Sequence, residues 1–367
     1  MPMRFVPFDD SHVAAVKDFN RRMLAGHADS EFLLATEPDS RVRPAEDPIQ
    51  WTQYVVLDGE DVRGGVITMD QPGWVNGRSI RAVNFQSPLS EGIVDPKYTM
   101  VALQLVKFMQ KQGEAGYFAG MGSSDRPLPK LLSASGWSLR PVPFLFRVHR
   151  AGNVLRELRM LQTTLLRRTA ASAARFLGIG ACGLAVMQRR RNVIRESIRQ
   201  VTTWGDWADE IWQCCRAGCS FAVQRDRRTL ESLYPTSDPK TKILLIERHG
   251  NPVGWSVCFN ARLSNHRHFG NLQLASILDC MAQAEAMIAT AVLTDREMSS
   301  QGADLVVVNH SHADWVKTFR SAGFLSGPSN YLLAMTKRIT ELVLAVPHGA
   351  DHIHVTRGDG DGRIHLA

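Results

Sequence analysis

No run of apolar residues in this 367-residue chain is long enough to cross a bilayer. The uncharged segment Phe176 to Met187 has twelve residues, against about twenty for a membrane-spanning helix. The opening MPMRFVPFDD lacks a basic segment followed by an apolar one, so no secretory signal is expected. Cysteine is sparse: Cys182, Cys214, Cys215, Cys219, Cys258 and Cys280, with no CxxC pair among them. Such spacing excludes a four-cysteine zinc site and reads as reduced thiols of a cytosolic protein. Lysine is missing from residues 153–200, where ten arginines face two glutamates, a surplus of +8. The whole chain carries only +7, so the positive charge is confined to that stretch. Few aromatics lie among these arginines and no helix-turn-helix is present, so nucleic acid is not an expected partner.

What is present is ordinary for folded protein. Hydrophobic residues make up 44% and charged residues 22%, which excludes wholesale disorder, and the length suggests two domains. In the arginine-rich stretch, Val154, Leu158, Leu161 and Leu165 recur at helical spacing, and Ile194, Ile198 and Val201 suggest a second basic helix. Two readings stay open for residues 151–202. One is a buried helical hairpin between domains. The other is an interfacial pair, with its apolar tip among acyl chains and Arg189, Arg190 and Arg191 on anionic headgroups.

The flanking segments look alike. YVVLDGEDVRGGVITM (54–69) and ILLIERHGNPVGWSVCF (243–259) both read as strand, turn, strand, turning at Asp58-Gly59 and at His249-Gly250-Asn251. Each precedes a further strand and a helix. Then come a strand, a polar knot and a helix ending in Gly-aromatic: YFAGMGSSDRPLPKLLSASGW (117–137) and DLVVVNHSHADWVKTFRSAGF (304–324). PFLFRVHR (143–150) and YLLAMTKR (331–338) are expected to complete their own copies, which makes an internal duplication the economical explanation.

This order of elements resembles the GNAT acyltransferase fold. The chain is similar to tandem GNAT proteins of the FemAB-like kind found in bacterial envelopes. Supporting strings are Phe19-Asn20-Arg21-Arg22, Phe221-Ala222-Val223-Gln224-Arg225-Asp226 before Leu233-Tyr234-Pro235, and Pro252-Val253-Gly254-Trp255. The resemblance implies an α/β chain of two mixed-sheet domains, 1–150 and 203–340, with the basic segment 151–202 between them and a tail at 341–367. It departs from the pattern in one respect. The glycine-rich pyrophosphate loop is replaced by Glu91-Gly92-Ile93-Val94-Asp95-Pro96 and by Ala282-Gln283-Ala284-Glu285-Ala286, with acids where the phosphates would lie.

The resemblance also implies acyl-CoA as co-substrate, no bound cofactor and no metal. In such a fold the sheet splays between its two central strands and the thioester lies in the gap. The knot Asn309-His310-Ser311-His312 would face that gap, and an imidazole suits removal of an ammonium proton. The first-copy positions, Ser123 and Asp125, have no such base and read as a helix cap. The expected catalytic set is therefore His310, His312, Asp279 and Glu91, with Ser90, Gly92, Ser311 and Asn309 against the acyl-CoA. The second copy is the expected catalytic one. Capping of the helix by these histidines is the competing reading, and Cys280 as a nucleophile lacks any visible means of stabilising its thiolate.

The expected activity is transfer of a fatty acyl group to the amine of a membrane lipid precursor, as in bacterial ceramide synthases. It would act at the inner face of the cytoplasmic membrane. Alternatives are N-acylation of an amino sugar or peptide in envelope assembly, and a catalytically inactive GNAT-like binding protein. The tail HGADHIHVTRGDGDG (348–362) lacks the ligand spacing of an EF-hand and reads as a glycine-rich turn docking against the body.

Overall fold

The structure, a computed structural model, describes residues 3–37, 44–112, 115–157, 194–237, 241–266 and 268–360. The first half begins with β1 (Arg4–Pro7), α1 (Val13–Ala25), β2 (Gln50–Asp58), β3 (Asp61–Val75) and β4 (Arg78–Ser90). It continues through α2 (Thr99–Lys111), β5 (Ala115–Met121), α3 (Pro127–Ala134), β6 (Ser138–Pro141), β7 (Phe144–Val148) and α4 (Ala151–Glu157). The second half opens with β8 (Ser197–Val201), α5 (Trp207–Cys215), β9 (Phe221–Val223) and α6 (Arg227–Leu233). There follow β10 (Thr241–Arg248), β11 (Asn251–Arg262), β12 (Gln273–Ala282), α7 (Met287–Ser300), β13 (Leu305–Asn309) and α8 (Ala313–Ser321). The last elements are β14 (Leu325–Gly327), β15 (Tyr331–Met335), α9 (Lys337–Leu344) and β16 (Ile353–His354).

Turn chemistry explains the hairpins. His249 (φ 52°) and Gly250 (φ 81°) form the two-residue loop between Arg248 and Asn251. Asn76 (φ 44°) and Gly77 (φ 86°) do the same between Val75 and Arg78. Positive φ at both positions is the type I′ geometry that matches strand twist.

Two mixed sheets result. The first has the order β1-β2-β3-β4-β5-β15-β6, with β9 and β16 attached through β3. The second runs β8-β10-β11-β12-β13-β7-β14. Counted from β1 and from β8, the two orders correspond strand for strand, and each has a single parallel pair at its centre, β4 with β5 and β12 with β13. The final strand of each copy, however, does not complete its own sheet. Strand β7 pairs with β13 of the second sheet, and β15 inserts between β5 and β6 of the first. The halves have exchanged equivalent strands.

The arginine-rich stretch lies mostly at 158–193, outside the described residues, and Arg189, Arg190 and Arg191 with it. Its end is corrected by the structure. Residues 197–201 form edge strand β8 on β10 and not a helix. Ile198 packs with the core beneath α7 and α8, whereas Val201 packs with the core between the sheets. A spacing of three puts residues on one face of a helix but on opposite faces of a strand. Among the described residues, no helix is long and apolar enough to cross a membrane.

Strand β13 shows how the layers are built. Leu305 and Val307 point into the core shared by both sheets, with Met69 and Tyr117 of the first sheet and Trp255 and Val257 of the second. Val306 and Val308 point the other way, onto Trp315 and Phe319 of α8. Both faces are covered, so the strand is apolar throughout. Each such side chain removed from water contributes about 1.5–3 kcal/mol.

Candidate active site

The central parallel pairs are short. Strands β4 and β5 pair only from Ala82–Ala115 to Asn84–Tyr117, and β12 and β13 only from Leu274–Leu305 to Ile277–Val308. Beyond these points each pair diverges, leaving a gap. A bulge sits at each point of divergence: register slips against β3 around Ser87, which has φ 46°, and against β11 around Leu278. An extra residue increases local twist and ends pairing, so the bulges open the gaps.

The segment 353–360 fills the second gap and reaches the first. Ser311 N–H donates to the Val355 carbonyl at 3.0 Å, and Val355 N–H donates to Ser311 Oγ at 2.8 Å. Thr356 bridges His310. Gly358 then passes between Tyr234 and β12: a Cβ there would stand 1.8 Å from Tyr234 Oη and 3.2 Å from the Leu278 carbonyl oxygen. Asn84 Nδ2, on β4, donates to the Asp359 carbonyl at 2.6 Å, and a Cβ on Gly360 would lie 2.0 Å from the Ala119 carbonyl oxygen of β5.

A buried charged network anchors this crossing. Arg225 is 0% exposed. Its Nε donates to Asp279 Oδ2 at 2.8 Å and its Nη2 to both Asp359 oxygens at 2.6 and 2.7 Å. Tyr234 Oη donates to Asp279 Oδ2 at 3.0 Å, and Cys280 N–H to Oδ1 at 2.9 Å. His354 Nε2 stands 3.7 Å from Asp279 Oδ1, an ion-pair distance too long for a hydrogen bond. Burial works to raise the Asp279 pKa, but Arg225, with His354 and Tyr234, outweighs it and holds the carboxyl below its usual range. Burial likewise opposes charge on His354, yet Asp279 and the Cys219 thiol push it up to about 9.

The residues assigned from sequence divide between two places. His310, His312 and Asp279 do converge, around His354. The His310 ring lies 4.7 Å, edge on, from that of His354 and is 0% exposed. Burial, followed by His354, drives its pKa well below the usual value. Its Nδ1 accepts from the His312 N–H at 3.2 Å, so the proton of the neutral ring falls on Nε2, which has no partner among the described residues. His312 caps α8 by accepting from the Asp314 N–H at 3.3 Å, and burial lowers its pKa to about 4. Ser311 ties down the tail, and Asn309 Nδ2 is buried without a partner among the described residues.

Glu91, Ser90 and Gly92 lie apart from this cluster, at the end of β4. Glu91 pairs with Arg22 at 2.7 Å and with Arg63 at 3.1 Å, so the acid expected to repel a pyrophosphate is already matched by two arginines. Ser90 Oγ accepts from Gly92 N–H at 3.1 Å. A Cβ on Gly92 would stand 2.7 Å from Thr99 Cα, so this glycine is required for close packing. Ser123 and Asp125 bond to each other, but the α3 cap is Arg126, without a side-chain bond, so the expected cap is corrected. Cys280 is buried beside Asp279, and burial first, then that carboxylate, pushes its thiol well up, away from nucleophilic character.

Several residues at the centre were not singled out from sequence. Arg225 and Tyr234 lie within the strings that carried the resemblance, and nothing in those strings names their partner. The first gap holds a second polar group. Gln71 Nε2 donates to Tyr117 Oη at 2.6 Å. The side-chain carbonyl oxygens of Gln71, Asn84 and Gln86 are buried without a hydrogen-bond partner among the described residues. Asn84 and Gln86 alternate along RAVNFQS, so their shared face was legible, though not its purpose.

No protein-family model matches this chain, and neither does any curated protein sequence. Solved structures do match in shape. A GCN5-related N-acetyltransferase from Anabaena variabilis superposes with a TM-score of 0.55 at 9% identity, covering 91% of this chain and 72% of its own. One from Kribbella flavida gives 0.54 at 12% identity, covering 94% and 74%. N-myristoyltransferase from Saccharomyces cerevisiae, solved with myristoyl-CoA bound, gives 0.52 at 8% identity, covering 92% and 84%. At such identities the likeness concerns architecture, and it establishes that this chain has the GNAT fold, in two mixed sheets.

Proposed function

We propose that this protein is an acyl-CoA-dependent N-acyltransferase with the thioester held in the first gap. The carrying observation is the row of buried, unpartnered carbonyl oxygens on Asn84 and Gln86 beside diverging strands. A buried acceptor without a donor is costly, and the N–H groups of an incoming amine supply what is missing. Strand N–H groups freed where β4 leaves β5 suit the oxyanion that forms as the amine attacks the thioester carbonyl. The second gap is already filled by residues 353–360.

A second reading places the donor in the second gap, with His310, His312 and Asp279 handling protons and Asn309 and Ser311 against the acyl-CoA. The unpartnered Nε2 of His310 and Nδ2 of Asn309 favour it. For the acceptor, the surplus of +8 in residues 153–200 supports a lipid amine of the sphingoid-base kind at an anionic membrane face.

The test incubates the protein with fatty acyl-CoA and a panel of amines, following amide product by mass spectrometry and free CoA by thiol release. Gln86→Leu is expected to lower turnover at least tenfold with the thermal midpoint kept, whereas Asn84→Leu, which also strips the Asp359 carbonyl of its donor, is expected to lower both. Under the second reading, His310→Ala lowers turnover roughly a hundredfold instead. No amide with any amine removes the enzymatic reading and leaves a binding protein.

A further inference from the structure

Two arginines accompany the crossing segment, and only one has its charge met. Arg225 is held by Asp279 and Asp359. The Arg357 guanidinium, two residues before Asp359, makes no ion pair or hydrogen bond with the described residues, and its Nε and Nη1 are shut off from solvent. Tyr331 Oη donates to the Arg357 carbonyl at 3.3 Å. The Arg357 side chain as a whole is half-buried, with Nε and Nη1 the covered nitrogens. Burial lowers the Arg357 pKa. A guanidinium nevertheless stays charged at any physiological pH, so its lost hydration calls for an anion.

We propose that Arg357 forms an oxyanion subsite that receives the carboxylate or phosphate group of the acceptor amine. This rests on the N-acyltransferase reading above, and in place of a neutral sphingoid-type acceptor it assigns an amine that carries an acidic group. The guanidinium offers a planar fork suited to either group. Asp359, whose carbonyl is bonded to Asn84, lies only two residues on, within about 7 Å along the chain. The residue that would hold the acidic group thus sits on the same short segment as the carbonyl that Asn84 holds.

The test uses the full chain, Arg357→Gln and Arg357→Lys. Thermal midpoints are measured in sodium acetate and sodium phosphate against sodium chloride of equal ionic strength. Acyl transfer is assayed with glycine and β-alanine, with phosphoethanolamine, and with a neutral long-chain amine. Acetate or phosphate is expected to raise the midpoint of the native protein and not that of Arg357→Gln. KM for the acidic amines should rise about tenfold to a hundredfold in Arg357→Gln with kcat little changed, and Arg357→Lys should recover part of it. Whether glycine and β-alanine or phosphoethanolamine responds distinguishes a carboxylate from a phosphate source. Unchanged KM in Arg357→Gln, or a neutral amine used as well as the acidic ones, overturns the proposal. If no amine is acylated, the N-acyltransferase reading fails, and the anion effect on the midpoint still decides the subsite.

Discussion

Arg225 is tolerable in the interior because every carboxylate near it is aimed at it. Removing the cation alone would leave Asp279 and Asp359 charged and desolvated, so Arg225→Met is expected to cost about 3–5 kcal/mol in urea unfolding. A loss under 1 kcal/mol would show that these carboxylates readily take up protons instead. Gly358 is a different case, since its Cβ would stand 1.8 Å from Tyr234 Oη. Gly358→Ala must move the tyrosine and is expected to cost roughly 1–3 kcal/mol by overpacking. The histidines set the pH response. His354, at about 9, binds a proton in the folded state that the unfolded chain releases above its pKa of about 6.5. Its contribution is full below that value and is lost as pH rises toward 9. His312, at about 4, works in the opposite sense: the unfolded chain gains a proton below about 6.5 that the folded state refuses. Stability is therefore expected to fall on both sides of a maximum near pH 6.5, and urea midpoints across that range provide the check.

At the scale of elements, local chemistry and long-range pairing contribute separately. The turns at Asp58-Gly59 and His249-Gly250, and the apolar run Leu305 to Val308, were legible because glycine conformation and side-chain alternation are local properties. The strand at 197–201 was not. Ile194, Ile198 and Val201 satisfy a helical spacing, and the five residues become a strand because β10 offers an edge to pair with. The tail is held to β13 largely through Ser311, which donates to the Ile353 carbonyl and accepts from Val355 N–H. Ser311→Ala is expected to weaken this docking by about 1–2 kcal/mol. Amide exchange should then quicken in residues 353–356 while β12 and the start of β13 keep their protection. Equal quickening throughout would mean that the tail and the second sheet open as one unit.

At the scale of the whole molecule, the exchanged strands make each half incomplete. Residues 1–150 lack β15, which shields β5 and joins it to β6, with Leu332 to Met335 all buried. An isolated fragment of residues 1–150 is expected to remain unfolded by circular dichroism. Mixing it with 151–367 should restore the native spectrum, and independent folding of 1–150 would show that β7 can return to its own sheet.

The candidate site was legible in part for the same reasons. His310, His312 and Asp279 could be placed at strand ends and on one sheet because periodicity locates strands and their ends. Their states could not be read, because the groups that set them, Arg225, His354 and Asp359, arrive from distant positions in the chain. The sequence alone determined the repeated order of strands and helices, their hairpin turns and the confinement of positive charge to one stretch, all consequences of composition and short-range spacing. Only the tertiary structure decided that β7 and β15 change places. The segments PFLFRVHR and YLLAMTKR present similar faces to any open strand edge, and burial between particular neighbours is what distinguishes them. It also decided that Arg225 meets two carboxylates while the Arg357 guanidinium meets none among the described residues, since a counter-charge acts through space and leaves no trace in local spacing.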